Sequence, residues 1–571
     1  MHVVGLNHGE INSSAALVAD GRVVAGAPEE RFNRQKLTRA FPKQAIEYCL
    51  QSAGIAIEDC AAIAQAWNPG TAWRKFNPTI SGHRVRREDY FYSLPDNLLG
   101  LARGRESQYV RMDLGAGNDL PDVYFVTHHR SHSANAFYLS DFEEAALLTC
   151  DWQGEFECTT FGRGMGSAIE VFQTQTMPNS LGMFYGTFTE LLGYRPDHDE
   201  WRVMALAAFD VNSEPFKSRI RETVRFCENG LIELDQSVYT GAIVDQPKSY
   251  SHKLVELVGG REGQAFEEAD EWHYSVAKAM QEIAEEIALH FLEYLWERTR
   301  CPNLAVGGGF FMNSVLNGKI LDLTPFEELY VSYAPGDVGN SIGAALYLMH
   351  SILGQPRSAG ESLSYIGPAY TDNDIEETLT RRAIPHQQVN DTTRKVSELL
   401  ADGEIVAVFN GAMEFGERAL GNRSILADPR RAEIKDAINS MIKYREPYRP
   451  FAPVVLREEV SKYFDVPQGY ECLHMEKVVP VREEYRANLA AVSHVDGSGR
   501  AQTVTREQNP FLYGIVENFG KITGIPVLLN TSFNINGEPI VMSPDDALNT
   551  FFNSGLRHLA LGDRLVSKND L

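Results

Sequence analysis

Apolar residues near the start of the chain fall in three short runs, Val3 to Asn7, Ala15 to Ala19 and Val23 to Ala27, the last two separated by Asp20-Gly21. Asp-Gly between two apolar runs predicts a two-residue hairpin, because both turn positions favour positive φ. The cadence returns later: Ala145 to Thr149 reads as a buried strand, Asp151 to Glu155 as a polar turn, and Cys158 to Phe161 as a returning strand. Between Val276 and Leu295, apolar residues at 276, 280, 283, 287, 291 and 295 keep the three-to-four spacing of an amphipathic helix. Leu304 to Val306 then runs into three glycines, and Leu329 to Tyr333 precedes Pro335-Gly336-Asp337-Val338-Gly339 and a small-residue helix from Ser341 to Leu346.

Two copies of a strand, a polar loop and a returning hairpin, facing one another across a cleft, suggest a duplicated actin-like α/β domain of the nucleotide-binding kind. The Gly, Pro, Ser and Arg-rich stretch from Gly354 to about Ser364 has linker chemistry. It divides the chain into expected domains at 1–355 and 365–571. The second begins with a helix around Thr393 to Ala401 and a strand from Ile405 to Phe409.

Composition narrows the class. With 43% hydrophobic and 23% charged residues among 571, the chain reads as folded and globular. The net charge of −24 repels a phosphate backbone, so nucleic acid is not expected as the main partner. Seven cysteines without a C-x-x-C pair suggest neither a disulfide framework nor a zinc ribbon. No run of 18 apolar residues is present, so no membrane partner is expected and the cytoplasm is the expected compartment.

Three constellations carry candidate chemistry. In His128-His129-Arg130-Ser131-His132 the outer imidazoles are four residues apart and share one face of a helix. Asp151 at a strand end and Asp337 in a glycine-rich turn complete two imidazoles and two carboxylates, a set suited to Fe, Mn or Zn. The turns Gly307-Gly308-Gly309 and Gly336 to Gly339 offer backbone N–H groups to a phosphate. The third constellation concentrates Arg418, Arg423, Arg430, Arg431, Lys443, Arg445, Arg449 and Arg500, with Glu414, among apolar residues in an otherwise acidic chain. Guanidinium forks match phosphate and carboxylate oxygens. With the hydroxyl and amide groups of Asn530 to Asn534, this reads as an anion pocket for a small phosphorylated substrate and ATP.

The motifs in their order, Glu29-Glu30-Arg31-Phe32, H-H-x-x-H, G-G-G-x-x-x-N, MEFGERALGNRSILADPR, REPYRPFAP, RAQTVT and LNTSFNINGEPIV, resemble those of the ATP-dependent O-carbamoyltransferases of the nodulation and antibiotic-tailoring group. The resemblance implies an actin-like first domain similar to tRNA threonylcarbamoyl transferases. It also implies a second domain similar to the YrdC family, whose K-x-R and S-x-N signatures match Lys443-Tyr444-Arg445 and Ser532-Phe533-Asn534. Under it, Arg418, Arg423, Lys443, Arg445, Arg449, Arg500, Ser532 and Asn534 hold carbamoyl phosphate and ATP with Mg2+, giving carbamoyl adenylate. In the first domain, Gly308, Gly309 and Asn313 lie near the adenylate. A divalent metal, iron by resemblance, sits on His128, His132, Asp151 and Asp337 while the hydroxyl of a small specialised metabolite attacks. His8, Asn12, Lys36 and Arg202 are the expected catalytic residues.

This chain departs from the family in places. Ile11-Asn12 stands where many members carry His-Asp, which makes His8 the nearest imidazole. Trp152 and Trp201-Arg202 replace a glycine and a Gly-Lys pair, predicting a bulkier wall and a different acceptor, and Ala412 removes one guanidinium. Two other readings stay open at this stage: an actin-like ATPase or chaperone module, and a threonylcarbamoyl-type tRNA modification enzyme.

Overall fold

The computed structural model describes residues 1–9, 12–69, 109–112, 120–242, 247–265, 267–357, 363–446 and 448–570; Ile11 and residues 358–362 of the linker lie outside them. The chain forms two compact units, one of Met1–Ala25 with Arg39–Ser362, the other of Gly26–Thr38 with Leu363–Leu571.

The first unit contains two sheets. The first holds β1 (His2–Asn7), β2 (Ser14–Ala19), β3 (Arg22–Pro28), β4 (Ala62–Gln65), β5 (Tyr109–Met112) and β6 (Val123–Val126), in the order β3-β2-β1-β4-β6-β5. The β2–β3 turn is the expected one, with positive φ at Asp20 and Gly21 (49° and 82°). The second sheet is built from β7 (Glu144–Cys150), β8 (Glu157–Met165) and β9 (Ala168–Thr176); a separate ribbon, β10 (Val224–Phe226) with β11 (Ile232–Leu234), follows in the chain. β12 (Asn303–Gly307) and β13 (Glu328–Val331) complete it in the order β13-β12-β7-β8-β9.

Each sheet runs outward from its first strand in the same way. β1 pairs antiparallel with β2 and parallel with β4, and β7 pairs antiparallel with β8 and parallel with β12. This repetition of an α/β unit is the duplicated actin-like architecture that the two cadences predicted. The predicted packing helix is longer than its apolar core, spanning Glu271–Thr299. Asp270 starts it early by accepting hydrogen bonds from the backbone N–H groups of Trp272 and His273.

Two glycines bring the site helices together. A Cβ on Gly343 would lie 1.9 Å from the Ser131 carbonyl oxygen, and one on Gly5 would lie 1.8 Å from that of Ser341. The Asn340–Tyr347 helix therefore rests directly on β1 and on the His128–Leu139 helix, an approach that any side chain would block.

The second unit is also α/β. Its eight-stranded sheet is ordered β14-β23-β22-β15-β16-β21-β17-β20, from β14 (Gln387–Gln388), β15 (Val406–Phe409), β16 (Arg423–Ala427), β17 (Ala452–Leu456), β20 (Gln502–Val504), β21 (Val527–Ser532), β22 (His558–Leu561) and β23 (Arg564–Ser567). β18 (Val478–Pro480) and β19 (Ser498–Arg500) form a separate ribbon. Two apolar clusters hold the sheet, one through Phe409, Ile425 and Val541, the other through Val396, Leu426 and Leu512. Among the described residues no helix is long and apolar enough to cross a membrane.

The segment Gly26–Thr38 joins this unit although a single boundary near residue 355 places it in the first. The reason is local and polar. Arg31 is 2% exposed and donates to the Gly416 carbonyl at 2.7 Å, while Arg34 donates to the carbonyls of Ile540 and Pro539 at 2.7 and 2.9 Å. Arg31→Met leaves the Gly416 carbonyl and the Glu30 carboxylate, 3.5 Å away, without their cation. The expected loss is about 3 kcal/mol, read as a lowered guanidinium unfolding midpoint for this unit.

Candidate functional site

The His128–Leu139 helix is buried along its whole length, so its polar first turn has to be satisfied from within the protein. Its N-cap residue, Thr127, makes no side-chain cap. Glu155, from the turn after β7, takes that place: its carboxylate accepts from the His128 N–H at 2.9 Å and from the Asn68 N–H at 2.7 Å. His129 points the other way, bonded to Thr149 Oγ1 at 2.8 Å and to the Glu157 carbonyl at 3.0 Å, and burial pushes its pKa well below the usual imidazole value. It belongs to the scaffold.

His128 and His132 face the opposite side. Their Nε2 atoms are 3.0 Å apart, His132 Nε2 lies 3.0 Å from Asp151 Oδ2, and both imidazoles lie 3.4 Å from Asp337 Oδ1. One ligand atom from each of the four residues falls within 4.8 Å of the other three. Asp151 is aimed by backbone: its carboxylate accepts from the Gly309 N–H at 2.8 Å and the Trp152 N–H at 2.7 Å. Gly308 makes this turn possible, with φ 98° and a Cβ position only 2.2 Å from the Cys150 carbonyl oxygen.

The quartet fits a divalent cation. Burial alone would lower the His128 pKa, but Asp337 and Asp151 outweigh it and hold it at about 9. Burial alone would raise Asp151, but the two imidazoles hold it well below the usual carboxylate range. Protons are thus retained where a cation belongs, and Asp337 Oδ1 is buried without a hydrogen bond. Two imidazoles and two carboxylates suit an ion of intermediate hardness.

The other residues expected in this unit are placed as follows. His8 meets the Phe41 ring edge-on, 5.3 Å between centroids, and burial lowers its pKa. Asn12 sits at φ 62° with its carbonyl accepting from Asn7 Nδ2 at 3.3 Å. Asn313 is 7% exposed, caps the Ser314–Asn317 helix by accepting from the Leu316 N–H, and donates to Gln281 Oε1 at 3.0 Å. Arg202 pairs with Asp199 at 3.1 Å and lies over the Trp201 and Tyr194 rings. Trp152 is half-buried, and its ring lies 2.0 Å from where a Cβ on Gly186 would stand. Sequence reasoning missed Glu155 and Asn340, whose amide lies 3.1 Å from His132 Nε2. Glu155 carried a weak signal, its place in the polar turn after a metal-ligand candidate, whereas Asn340 carried none.

In the second unit the two distant signatures meet. Lys443 is 4% exposed and its ammonium donates to Ser532 Oγ at 3.2 Å, Asn534 Oδ1 at 2.8 Å and the Asn534 carbonyl at 3.0 Å. Burial lowers its pKa well below the usual value, and Arg445, Arg449 and Lys36 lower it further. Lys36, assigned from sequence to the first domain, is therefore a member of this cluster. Arg500 is likewise pushed down by burial and then by Arg418 and Arg449. Cations close enough to depress one another mark a region of concentrated positive charge.

Three arginines do not join the pocket. Arg423 is fully buried and donates to the carbonyls of Asn410, Gly411, Asn422 and Pro368, with its guanidinium 3.7 Å from the centre of the Phe409 ring. These contacts give it a scaffold role in place of the anion-binding one expected. Arg430 and Arg431 are turned to Asp428, at 2.7 and 3.7 Å. Glu414 is also scaffold, accepting from the backbone N–H groups of Leu420 and Asn422.

The first unit thus brings two histidines and two aspartates together, and the second concentrates cationic side chains around a buried lysine. The chain belongs to the carbamoyltransferase family: residues 2–346 match the family's "Carbamoyltransferase N-terminus" and residues 397–568 its "Carbamoyltransferase C-terminus". It is 36% identical to nodulation protein NolNO of Sinorhizobium fredii, over 98% of this chain and 79% of that protein. It is 33% identical to the uncharacterized protein sll1178 of Synechocystis, over 99% and 97% of the two chains. It is 28% identical to the 3'-hydroxymethylcephem-O-carbamoyltransferase of Streptomyces clavuligerus, over 76% and 79%.

Proposed function

We propose that the protein transfers a carbamoyl group from carbamoyl phosphate, through carbamoyl adenylate formed with ATP and Mg2+, to a hydroxyl of a small specialised metabolite. The observation that carries this reading is the meeting of the two distant signatures, with the buried Lys443 ammonium donating to Ser532 and Asn534, in a neighbourhood where Arg445, Arg449 and Lys36 add positive charge. Two phosphorylated substrates bring several negative charges, and a cationic pocket offsets them. Carbamate carbon is a poor electrophile because its charge is delocalised, and adenylation supplies a leaving group.

In the first unit, His128, His132, Asp151 and Asp337 would hold the divalent ion. When bound, such an ion supplies Lewis-acid charge neutralisation to a phosphate oxygen. The backbone at Gly308 and Gly309 fixes Asp151, and Glu155 fixes the helix that carries both imidazoles. Family kinship with a cephem O-carbamoyltransferase supports oxygen as the acceptor atom. A screen of hydroxylated metabolites with isotopically labelled carbamoyl phosphate and ATP tests this. The expected result is one product carrying the label with a mass gain of one carbamoyl group; label found only on amines would overturn the oxygen assignment.

A further inference from the structure

We propose that Asn340 is a positioning residue of the metal centre: its amide oxygen accepts the Nδ1 proton of His128 and so holds the Nε2 lone pair of that ring on the cation. The assignment rests on the reading of His128, His132, Asp151 and Asp337 as a metal quartet.

The side chain is already in place. Asn340 stands three residues after Asp337 and opens the Asn340–Tyr347 helix, in which Gly343 allows close contact with the Ser131 carbonyl of the histidine-bearing helix. That contact delivers Asn340 to the imidazoles. Its amide nitrogen lies 3.1 Å from His132 Nε2 and 3.4 Å from His128 Nδ1, and the residue is wholly inaccessible to solvent. The other end of the amide is unused, because Asn340 Oδ1 is buried without a hydrogen bond. An acceptor left unpaired in the interior costs free energy, which points to a state of the protein in which the oxygen is engaged.

The chemistry of a ligating imidazole defines that state. The Nε2 atoms of His128 and His132 are 3.0 Å apart and face the carboxylates of Asp151 and Asp337. A cation bound there takes both Nε2 lone pairs and leaves each ring proton on Nδ1, which becomes a donor. Ligating histidines almost always give that second N–H to an oxygen, and the contact fixes tautomer and ring orientation. His132 Nδ1 is buried without a hydrogen bond, whereas His128 Nδ1 faces Asn340. Half a turn of the amide about χ2 exchanges its two ends and offers Oδ1 to the His128 proton. The scaffold then supports the quartet from both sides of His128: Glu155 holds its backbone N–H and Asn340 its ring.

The test uses the full chain, freed of metal by dialysis against a chelator and titrated with Co2+ in competition with a chromophoric chelator. Two variants separate acceptor from donor. Leucine at position 340 has about the size of the amide and offers neither, while aspartate offers an acceptor alone. Asn340→Leu is expected to bind Co2+ at least about tenfold more weakly than the unsubstituted protein, and Asn340→Asp within about threefold of it or more tightly. The visible band of bound Co2+ keeps its position in Asn340→Asp, since the ligand set is unchanged. Circular dichroism establishes that each metal-free variant is folded, with Asn340→Ala taking the place of a leucine variant that is not. Binding by Asn340→Leu within about threefold, or binding by Asn340→Asp as weak as that of Asn340→Leu, overturns the assignment. A shifted band overturns it as well, by placing residue 340 among the ligands themselves. An unsubstituted chain that takes up no Co2+ is a different outcome, and overturns the metal centre and this role together.

Discussion

Asp337→Asn is expected to abolish metal retention and carbamoyl transfer while leaving adenylate formation intact. The substitution keeps the shape of the side chain and removes one of the two negative charges, at the oxygen that lies 3.4 Å from both imidazoles. That oxygen makes no hydrogen bond, so the change falls on its ion pairs with the two imidazoles. Metal content by elemental analysis should fall to a small fraction of that of the unsubstituted protein. Transfer should fall by more than about 100-fold, since removing even an outer-shell partner costs 10- to 100-fold. Pyrophosphate release, assigned to the other unit, should change by no more than a few-fold. A variant that keeps its metal and loses transfer would remove Asp337 from the ligand set.

Lys443→Met is expected to give the reciprocal phenotype. Methionine replaces the stem of the side chain but not the ammonium, which meets Ser532 and Asn534 and stands among Arg445, Arg449 and Lys36. The loss of one preorganised charge-bearing donor costs about 2.7–4 kcal/mol where it stabilises a transition state, or 10²- to 10³-fold in pyrophosphate formation. Metal content should be unchanged. Arg423→Met provides the contrast: its guanidinium binds four backbone carbonyls, so the expected change is in unfolding midpoint. Equal losses of pyrophosphate release in folded Arg423 and Lys443 variants would contradict the division between scaffold and pocket.

Much of the fold and part of the site could be read in the chain. The Asp20-Gly21 hairpin and the repeated strand cadence are local signals, and local backbone chemistry keeps them where they were expected. The four metal-ligand candidates are 128 to 337 residues into the chain, yet His128 and His132 share one helix a turn apart, Asp151 follows the end of β7 and Asp337 opens a short helical turn. The exchanged segment Gly26–Thr38 was not legible, because its anchors are carbonyls at 416, 539 and 540, and any residue supplies a carbonyl. Arg423 failed for a related reason. Composition shows an arginine near other arginines, but only the packing shows that its two terminal nitrogens donate to backbone carbonyls, those of Asn410 and Gly411 among them.

The central claim is that the cationic pocket joins a carbamoyl group to a nucleotide before anything is transferred. Incubating the purified protein with ATP, Mg2+ and carbamoyl phosphate, and separating the nucleotides, tests it directly. The account predicts AMP and pyrophosphate in equal amounts, formed only when carbamoyl phosphate is present. ADP and phosphate released at the same rate with or without carbamoyl phosphate would contradict it.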